Sequence, residues 1–142
     1  ASDEALWKAL EIAQGRDFVE EMDDKLESTI SQGGTNVSGG QRQRLAIARA
    51  LVHNPDIYIF DDSFSALDFR TDARLRAALG RELAHATVII VAQRVGTILH
   101  ADRIVVLDEG RVVGIGTHAE LMASCETYRE IVLSQVTEEE AA

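Results

Sequence analysis

The stretch NVSGGQRQRLAIARAL, residues 36–51, decides the interpretation of this chain. It places a serine, two glycines and an amide before apolar residues that recur at helical spacing, namely Leu45, Ala48 and Val52. Ser38 is a preferred helix N-cap and Pro55 stops a helix, so the pattern predicts a helix from Gly39 to Val52. Unpaired N–H groups at such a start favour an anion such as a phosphate, whereas a bare cap and turn need no ligand.

Beyond Pro55 the apolar pattern changes from helical spacing to short continuous runs. Three such runs lie at residues 57–60, 88–91 and 104–107. Because unbroken aliphatic runs separated by a helix are typical of buried parallel strands, we predict an α/β fold whose sheet is covered on both faces. Asp108-Glu109-Gly110 predicts a hairpin turn into a further strand.

The remaining segments are predicted mainly as helices. Apolar residues at helical spacing indicate a first helix over residues 3–13 and a short second helix over residues 17–22. The segment between the first two strands carries leucines four residues apart, which indicates another helix. Thr117 and Glu120 form a capping-box pattern that starts a further helix, and a last helix covers about residues 125–135.

Two aspartates follow the first predicted strand. Asp61 and Asp62 would emerge at the carboxyl end of this strand, where open α/β sheets bind their ligands. An acid at that edge can hold Mg²⁺ directly or through water. Two aspartates after a strand also form ordinary solvated turns, so the residues alone leave both interpretations open.

Residues 36–51 resemble the signature motif of ATP-binding-cassette (ABC) proteins, with Val37 where the family usually has leucine. The resemblance implies that the start of this helix contacts ATP through Ser38, Gly39, Gly40 and Gln41. In the family, two cassettes dimerise head to tail, and each ATP lies between one phosphate loop and the signature of the other cassette.

Further motifs follow at the family's spacing. Residues 57–62 resemble the Walker B strand, which implies that Asp61 organises Mg²⁺ and that Asp62 replaces the glutamate general base of active members. Residues 65–68 resemble the D-loop, which reaches a partner nucleotide-binding domain. This resemblance assigns Asp68 to the nucleotide site, although an aspartate there also suits the N-cap of the next helix.

Two positions depart from the family's catalytic pattern. Asp62 is one methylene shorter than glutamate, and a misplacement of about 1 Å can cost ~10²-fold in rate. Gln93 stands where active members carry the switch histidine, and glutamine cannot gain a proton. The resemblance therefore implies a weak catalytic site on this chain's own motifs, and a nearly intact signature that completes the site of a partner.

The resemblance covers nearly the whole chain, and residues 101–111 and 116–121 look like the end of an exporter-type cassette. The implied fold is a partial P-loop NTPase (ABC ATPase). It combines a helical subdomain, residues 1–54, with the C-terminal part of a mainly parallel sheet and its flanking helices, residues 55–136. An acidic tail, residues 137–142, is expected to be disordered.

The phosphate loop G-x-x-x-x-G-K-[ST] does not occur in this sequence, whose lysines are Lys8 and Lys25. We therefore expect that the upstream half of the domain is absent from these 142 residues. The isolated chain is accordingly predicted to be inactive and to bind ATP weakly or not at all.

Composition restricts the classes of function. The chain is 46% hydrophobic and 27% charged, which is typical of a soluble domain, and its net charge of −10 disfavours a nucleic-acid partner. A single cysteine, Cys125, allows no internal disulfide, and the histidines lack metal-ligand spacing. The longest aliphatic run, residues 88–92, is far shorter than the ~20 residues that span a bilayer.

The main hypothesis is the ATP-hydrolysing module of an ABC exporter at the cytoplasmic face of the cell membrane, with ATP and Mg²⁺ as cofactors. Its implied partners are the transmembrane domains of the same transporter and a second nucleotide-binding domain, in a heterodimer with one degenerate site. The alternative is a soluble ABC-type ATPase of DNA repair or translation, which the acidic charge and the exporter-like C-terminal stretch disfavour. A receiver-type signalling domain is set aside because no lysine follows Lys25.

Overall fold

The computed structural model describes the backbone of residues 1–141 and the side chains of residues 1–135. The chain divides into two compact units, Ala1–Val91 and Ala92–Ala142. Each unit has a buried apolar cluster of its own. Within the described residues, no helix has the length and apolar character needed to cross a membrane.

The first unit alternates helices and strands after a helical beginning. Its elements are α1 (Asp3–Ile12), α2 (Arg16–Glu20), α3 (Gly39–Val52), β1 (Ile57–Asp61), α4 (Phe69–Glu82) and β2 (Thr87–Val91). The predicted bounds of α3 are confirmed, because Ser38 caps its first turn and the helix ends shortly before Pro55. The predicted second helix starts one residue earlier than expected, at Arg16, and ends at Glu20.

The core of the first unit forms where α1 packs against α3 and α4. Leu75 of α4 and Ala13, just after α1, are completely buried, and Ile47 of α3 is 2% exposed. Fully burying an aliphatic side chain of this size stabilises a fold by about 1.5–3 kcal/mol. The apolar faces of the helices therefore hold α3 in a fixed position against the rest of the unit.

Strands β1 and β2 pair in parallel, as predicted, with Asp61 opposite Val91. Tyr58 and Phe60 of β1 are buried, whereas its Ile59 is 67% exposed. Successive side chains of a strand point to opposite faces, so one face of this two-stranded sheet is buried and the other is open. The prediction that the sheet is covered on both faces is wrong for the described chain.

The second unit is built on an antiparallel hairpin. Its elements are α5 (Val95–Ile98), β3 (Ile104–Asp108), β4 (Arg111–Gly116), α6 (His118–Ser124) and α7 (Glu126–Ala141). Glu109 and Gly110 adopt left-handed φ angles of 45° and 74°, which turns β3 directly into β4. The predicted hairpin is confirmed, and so is the capping box of Thr117 at the start of α6.

The third aliphatic run does not join the parallel strands. Among the described strands, β3 pairs with β4 in a separate two-stranded sheet. The tight turn after β3 places β4 beside it as an antiparallel neighbour. The aliphatic composition of a strand does not specify whether its neighbour is parallel or antiparallel. The prediction that all three runs belong to one parallel sheet is therefore wrong here.

The core of the second unit lies between the hairpin and the last two helices. Leu121 and Tyr128 are each 2% exposed, and Cys125 is 7% exposed. Gly114 on β4 permits this packing, since a Cβ atom there would lie 2.9 Å from Leu121 Cδ2 and 3.0 Å from Cys125 Sγ. Helix α6 therefore sits directly against the backbone of β4.

The compact units do not coincide with the predicted subdomains. The first unit continues to Val91 and includes α4, because α1 packs against both α3 and α4. The division into residues 1–54 and 55–136 stays a prediction. The expected disorder of the tail, residues 137–142, also stays a prediction: the backbone of α7 continues to Ala141, while residue 142 and the side chains beyond residue 135 lie outside the described part.

Candidate nucleotide site

The start of α3 is organised by a reciprocal capping box. The backbone N–H of Gln41 donates to Ser38 Oγ at 3.1 Å, and the backbone N–H of Ser38 donates to Gln41 Oε1 at 2.9 Å. The first-turn N–H groups of Gly39 and Gly40 have no acceptor within a helix. The N-terminal end of α3 therefore presents the free backbone N–H groups of Gly39 and Gly40 beside the exposed Ser38. This arrangement is suited to binding an anion.

Gly40 lies against the loop that follows β1. A Cβ atom on Gly40 would stand 2.9 Å from the carbonyl oxygen of Ala66, and one on Gly39 would stand 3.6 Å from Ala66 Cβ. The family resemblance implies that these glycines contact ATP. The structure adds that Gly40 is needed for the close approach of the protein's own loop.

The two aspartates at the end of β1 have different surroundings. The backbone N–H of Asp62 donates to the carbonyl of Val91 at 3.1 Å, and Asp62 adopts a left-handed φ of 49°. The Ser65 hydroxyl lies 3.1 Å from Asp62 Oδ2. The carboxylate of Asp61 is exposed and accepts no protein hydrogen bond within the described residues. A free, hard oxygen at this edge fits the needs of Mg²⁺, which is commonly held by one or two carboxylates together with phosphate oxygens.

Gln43 connects the start of α3 with the loop after β1, and the sequence analysis assigned it no role. Its Nε2 donates to the carbonyl oxygen of Asp62 at 3.1 Å and to Ser65 Oγ at 3.0 Å. Its Oε1 accepts from the backbone N–H of Ala66 at 2.9 Å. No sequence pattern would have revealed these contacts, because two of the three partners are backbone atoms about twenty positions further along the chain.

Asp68 caps the helix that follows this loop. Its Oδ1 accepts from the backbone N–H of Thr71 at 2.9 Å, and its Oδ2 accepts from the Thr71 hydroxyl at 2.7 Å. These two hydrogen bonds hold the pKa of the Asp68 carboxyl below its ordinary value. The capping interpretation of Asp68 is confirmed, and its contact with a partner domain stays a prediction.

Arg44 anchors α3 to the first two helices. Its Nη1 donates to the carbonyl oxygen of Gln14 at 2.6 Å, and its guanidinium carbon lies 4.8 Å from the centre of the Phe18 ring. Partial burial lowers the pKa of Arg44, although the group remains charged at neutral pH. This contact fixes the direction of α3 and thereby the position of its capped end.

Gln93 belongs to the second unit, whereas the other predicted site residues belong to the first. Its backbone carbonyl oxygen accepts from Gln135 Nε2 at 2.6 Å, and Gln135 Oε1 accepts from the backbone N–H of Val95 at 2.8 Å. Gln135 of α7 therefore fastens the segment that carries Gln93 to the start of α5. The sequence analysis did not identify this contact either.

The structure thus gathers most of the predicted site residues in the first unit, at the surface where α3 begins and β1 ends. Two cavities of about 290 and 310 Å³ also occur in this unit, and both are lined by other residues. Ser38, Asp61 and Asp62 are exposed, so the candidate site lies at an open surface of the unit. An open surface needs a further molecule to surround a ligand.

Sequence comparisons agree with the motifs on this surface. The profile of the ABC transporter family matches residues 5–65. An uncharacterized ABC transporter ATP-binding protein of Mycobacterium bovis is 48% identical over 134 residues, which are 94% of this chain and 23% of that protein. An ATP-dependent lipid A-core flippase of Aliivibrio fischeri is 44% identical over 124 residues, which are 87% of this chain and 21% of that protein.

A solved structure shows the same architecture. A bacterial Atm1-family ABC exporter with ATP bound matches with a TM-score of 0.92 at 36% identity, over 96% of this chain and 24% of that chain. The chain thus spans about a quarter of the length of the proteins it matches. These likenesses confirm the P-loop NTPase fold that the signature and Walker B motifs implied. The chain belongs to the ABC transporter family, as part of its ATP-binding domain.

Proposed function

We propose that this chain is part of the ATP-binding domain of an ABC exporter, in which ATP binding and hydrolysis between two such domains drive transport. The observation that carries the proposal is the capped, glycine-bearing start of α3 at an open surface, next to the acidic end of β1. The matched proteins named as exporters or flippases support the same direction of transport.

The proposed roles follow the chemistry of each side chain. Asp61 holds Mg²⁺ beside the phosphates of ATP, and Asp62 accepts a proton from the water that attacks the γ-phosphate. Ser38 and the first-turn N–H groups of Gly39 and Gly40 bind the phosphates of an ATP held by a second nucleotide-binding domain, while Gln41 holds Ser38 in the capping box. The open surface at the start of α3 suits this role, since a partner must enclose the nucleotide.

The proposed dimer is asymmetric. Asp62 is shorter than the usual glutamate, and Gln93 carries no titratable proton. The site built on this chain's own motifs is therefore slow, while its signature helix serves a competent site on the partner. The two domains are attached to transmembrane domains at the cytoplasmic face of the membrane. The 142-residue chain has no phosphate loop and is inactive by itself.

The test is steady-state ATP hydrolysis by the full-length protein assembled with its partner domain. Replacing Asp62 by glutamate together with Gln93 by histidine should raise turnover, because the general base regains its reach. Ser38→Ala should abolish most of the remaining activity, because it disturbs the site on the partner. Ala46→Met, at an exposed position of the same helix, is the matched control.

The possible outcomes test separately the asymmetric pair of sites, the role of this signature in the partner's site and the ATPase activity itself. Hydrolysis that rises with the double change and falls with Ser38→Ala supports an asymmetric pair of sites. Normal activity of the Ser38→Ala protein would contradict a role of this signature in the partner's site. Absence of ATP hydrolysis in every assembled variant, including the restored double variant, would contradict the transport ATPase itself.

A further inference from the structure

The side chain of Gln43 spans the two functional ends of the first unit. All three of its hydrogen bonds reach the loop that follows β1, at 3.0 Å to Ser65 Oγ, 3.1 Å to the Asp62 carbonyl and 2.9 Å from the Ala66 N–H. A primary amide has two donor hydrogens and one acceptor oxygen, so both ends of this amide are used. Glutamate at this position would keep the acceptor and lose the donors.

Phe64, at the centre of this segment, is 4% exposed and packs against Phe60 of β1, so the apolar core anchors the segment at that point. Asp62 and Ala66, on either side of Phe64, are exposed, and their side chains take no part in the apolar core. Asp62 also adopts a left-handed φ of 49°, a conformation that ordinary side chains rarely take without support. Its backbone N–H donates to the carbonyl of Val91, and its carbonyl accepts from both the Gln43 amide and the Ser65 hydroxyl, the latter at 3.2 Å.

Gly40 and Gln43 face the loop together, because residues three apart share one side of a helix. Gly40 brings the helix close enough that Ala66 O would lie 2.9 Å from an added Cβ atom. Gln43 then closes the remaining distance with its amide. The first turn of α3 and the segment from Asp62 to Ala66 are therefore joined by contact and by hydrogen bonds.

We propose that Gln43 is a positioning residue that fixes the Asp62–Ala66 segment to the start of α3, so that the two move as one body. This inference rests on the proposed function, in which the start of α3 serves the partner's ATP and Asp62 serves the chain's own ATP. Gln43 then couples the two nucleotide sites: a displacement of α3 on ATP binding at one site shifts the base at the other.

The experiment compares Gln43→Met and Gln43→Glu in the full-length protein with its partner domain, with Ala46→Met as the control. Methionine keeps the approximate length of the side chain and removes every hydrogen bond, whereas glutamate keeps the acceptor for Ala66. Two quantities are measured: the hydrogen-exchange rate of the Ala66 amide, and kcat and KM for ATP. Exchange at Ala66 reports the loop directly and does not require catalysis.

In the Gln43→Met protein, exchange at Ala66 should accelerate at least about tenfold, because the amide loses its acceptor. Its kcat should fall about tenfold while KM changes by less than about twofold, because Gln43 positions the start of α3 at the partner's competent site as well as Asp62, and does not itself bind the substrate. In the Gln43→Glu protein, Ala66 should stay protected while kcat still falls, because the donors to Asp62 and Ser65 are lost.

Unchanged exchange at Ala66 in the Gln43→Met protein would overturn the inference. Faster exchange with unchanged kcat would overturn it as well, because the loop would then be free without effect on the reaction. If Gln43→Met fails to fold, an unchanged kcat of Gln43→Glu would overturn the inference and a lowered kcat would support it. If the unaltered protein with its partner hydrolyses no ATP, the proposed function fails, and the exchange rates still decide whether Gln43 holds the loop.

Discussion

Replacing Gly40 by alanine should push the loop at Ala66 away from α3, and the same replacement at Gly80 should not. The added Cβ atom at Gly40 would stand 2.9 Å from the Ala66 carbonyl oxygen, while nothing lies within 4 Å of the corresponding atom at Gly80. Restoring an ordinary contact at Gly40 requires a displacement of about 0.5 Å. Such a displacement stretches the hydrogen bond between Gln43 and Ala66.

The two glycine replacements differ in their expected effect on the free energy of unfolding. In a helix, alanine is favoured over glycine by up to about 1 kcal/mol, so Gly80→Ala should stabilise by about 0.5–1 kcal/mol. At Gly40 the same gain is opposed by an overpacking cost of about 1–3 kcal/mol. Gly40→Ala should therefore be neutral or destabilising by up to about 2 kcal/mol, and about 1–3 kcal/mol less stable than Gly80→Ala.

The assay is urea unfolding of the full-length protein, followed by a signal of this domain, together with its ATP hydrolysis. Gly40→Ala should also lower hydrolysis about tenfold, since it alters the start of α3, which is proposed to bind the ATP of the partner domain. Gly80→Ala should leave hydrolysis unchanged, because it lies on a different and exposed part of the unit. Equal stabilisation by both replacements, with unchanged hydrolysis, would refute the close contact between Gly40 and the loop.

Two further predictions concern stability. Leu75→Ala removes a completely buried side chain and should destabilise the first unit by about 2–5 kcal/mol in urea unfolding, whereas Leu133→Ala, at a side chain 61% exposed, should change stability by less than about 0.5 kcal/mol. In Asp68→Asn, the asparagine should still cap α4, but the titratable carboxyl group is removed. The pKa of Asp68 is lower in the folded state than in the unfolded state, so its carboxylate contributes stability above the ordinary pKa of about 4 and loses it as pH falls through the lowered value. The urea midpoint of the unaltered protein should therefore fall more steeply between about pH 5 and pH 2 than that of Asp68→Asn; equal slopes would contradict the role of the Thr71 bonds.

Local sequence patterns predicted the elements that depend on local chemistry. A serine cap and a proline stop predicted α3 with the same bounds that the structure has, Gly39–Val52. The left-handed turn at Glu109 and Gly110 and the capping box of Thr117 were also predicted, because each is decided by neighbouring residues. The position of Asp61 and Asp62 at the end of β1 was predicted from the continuous apolar run that precedes them.

Contacts between distant residues were not predictable in the same way. An aliphatic strand such as β3 has the same composition beside a parallel or an antiparallel neighbour, so its place in the parallel sheet was assigned wrongly, although its hairpin with β4 was predicted correctly. Gln43 was missed because an amide on a helix is usually solvated, and its partners lie about twenty residues away.

Because Gly114 packs against Cys125, the reactivity of this thiol reports how often the core of the second unit opens. Cys125 is the single cysteine of the sequence and is 7% exposed, so a thiol reagent must wait until the packing around it separates. The labelling rate then measures how often this packing opens under native conditions, without any introduced probe. Gly114→Ala would press a methyl group against Sγ and should shorten that waiting time.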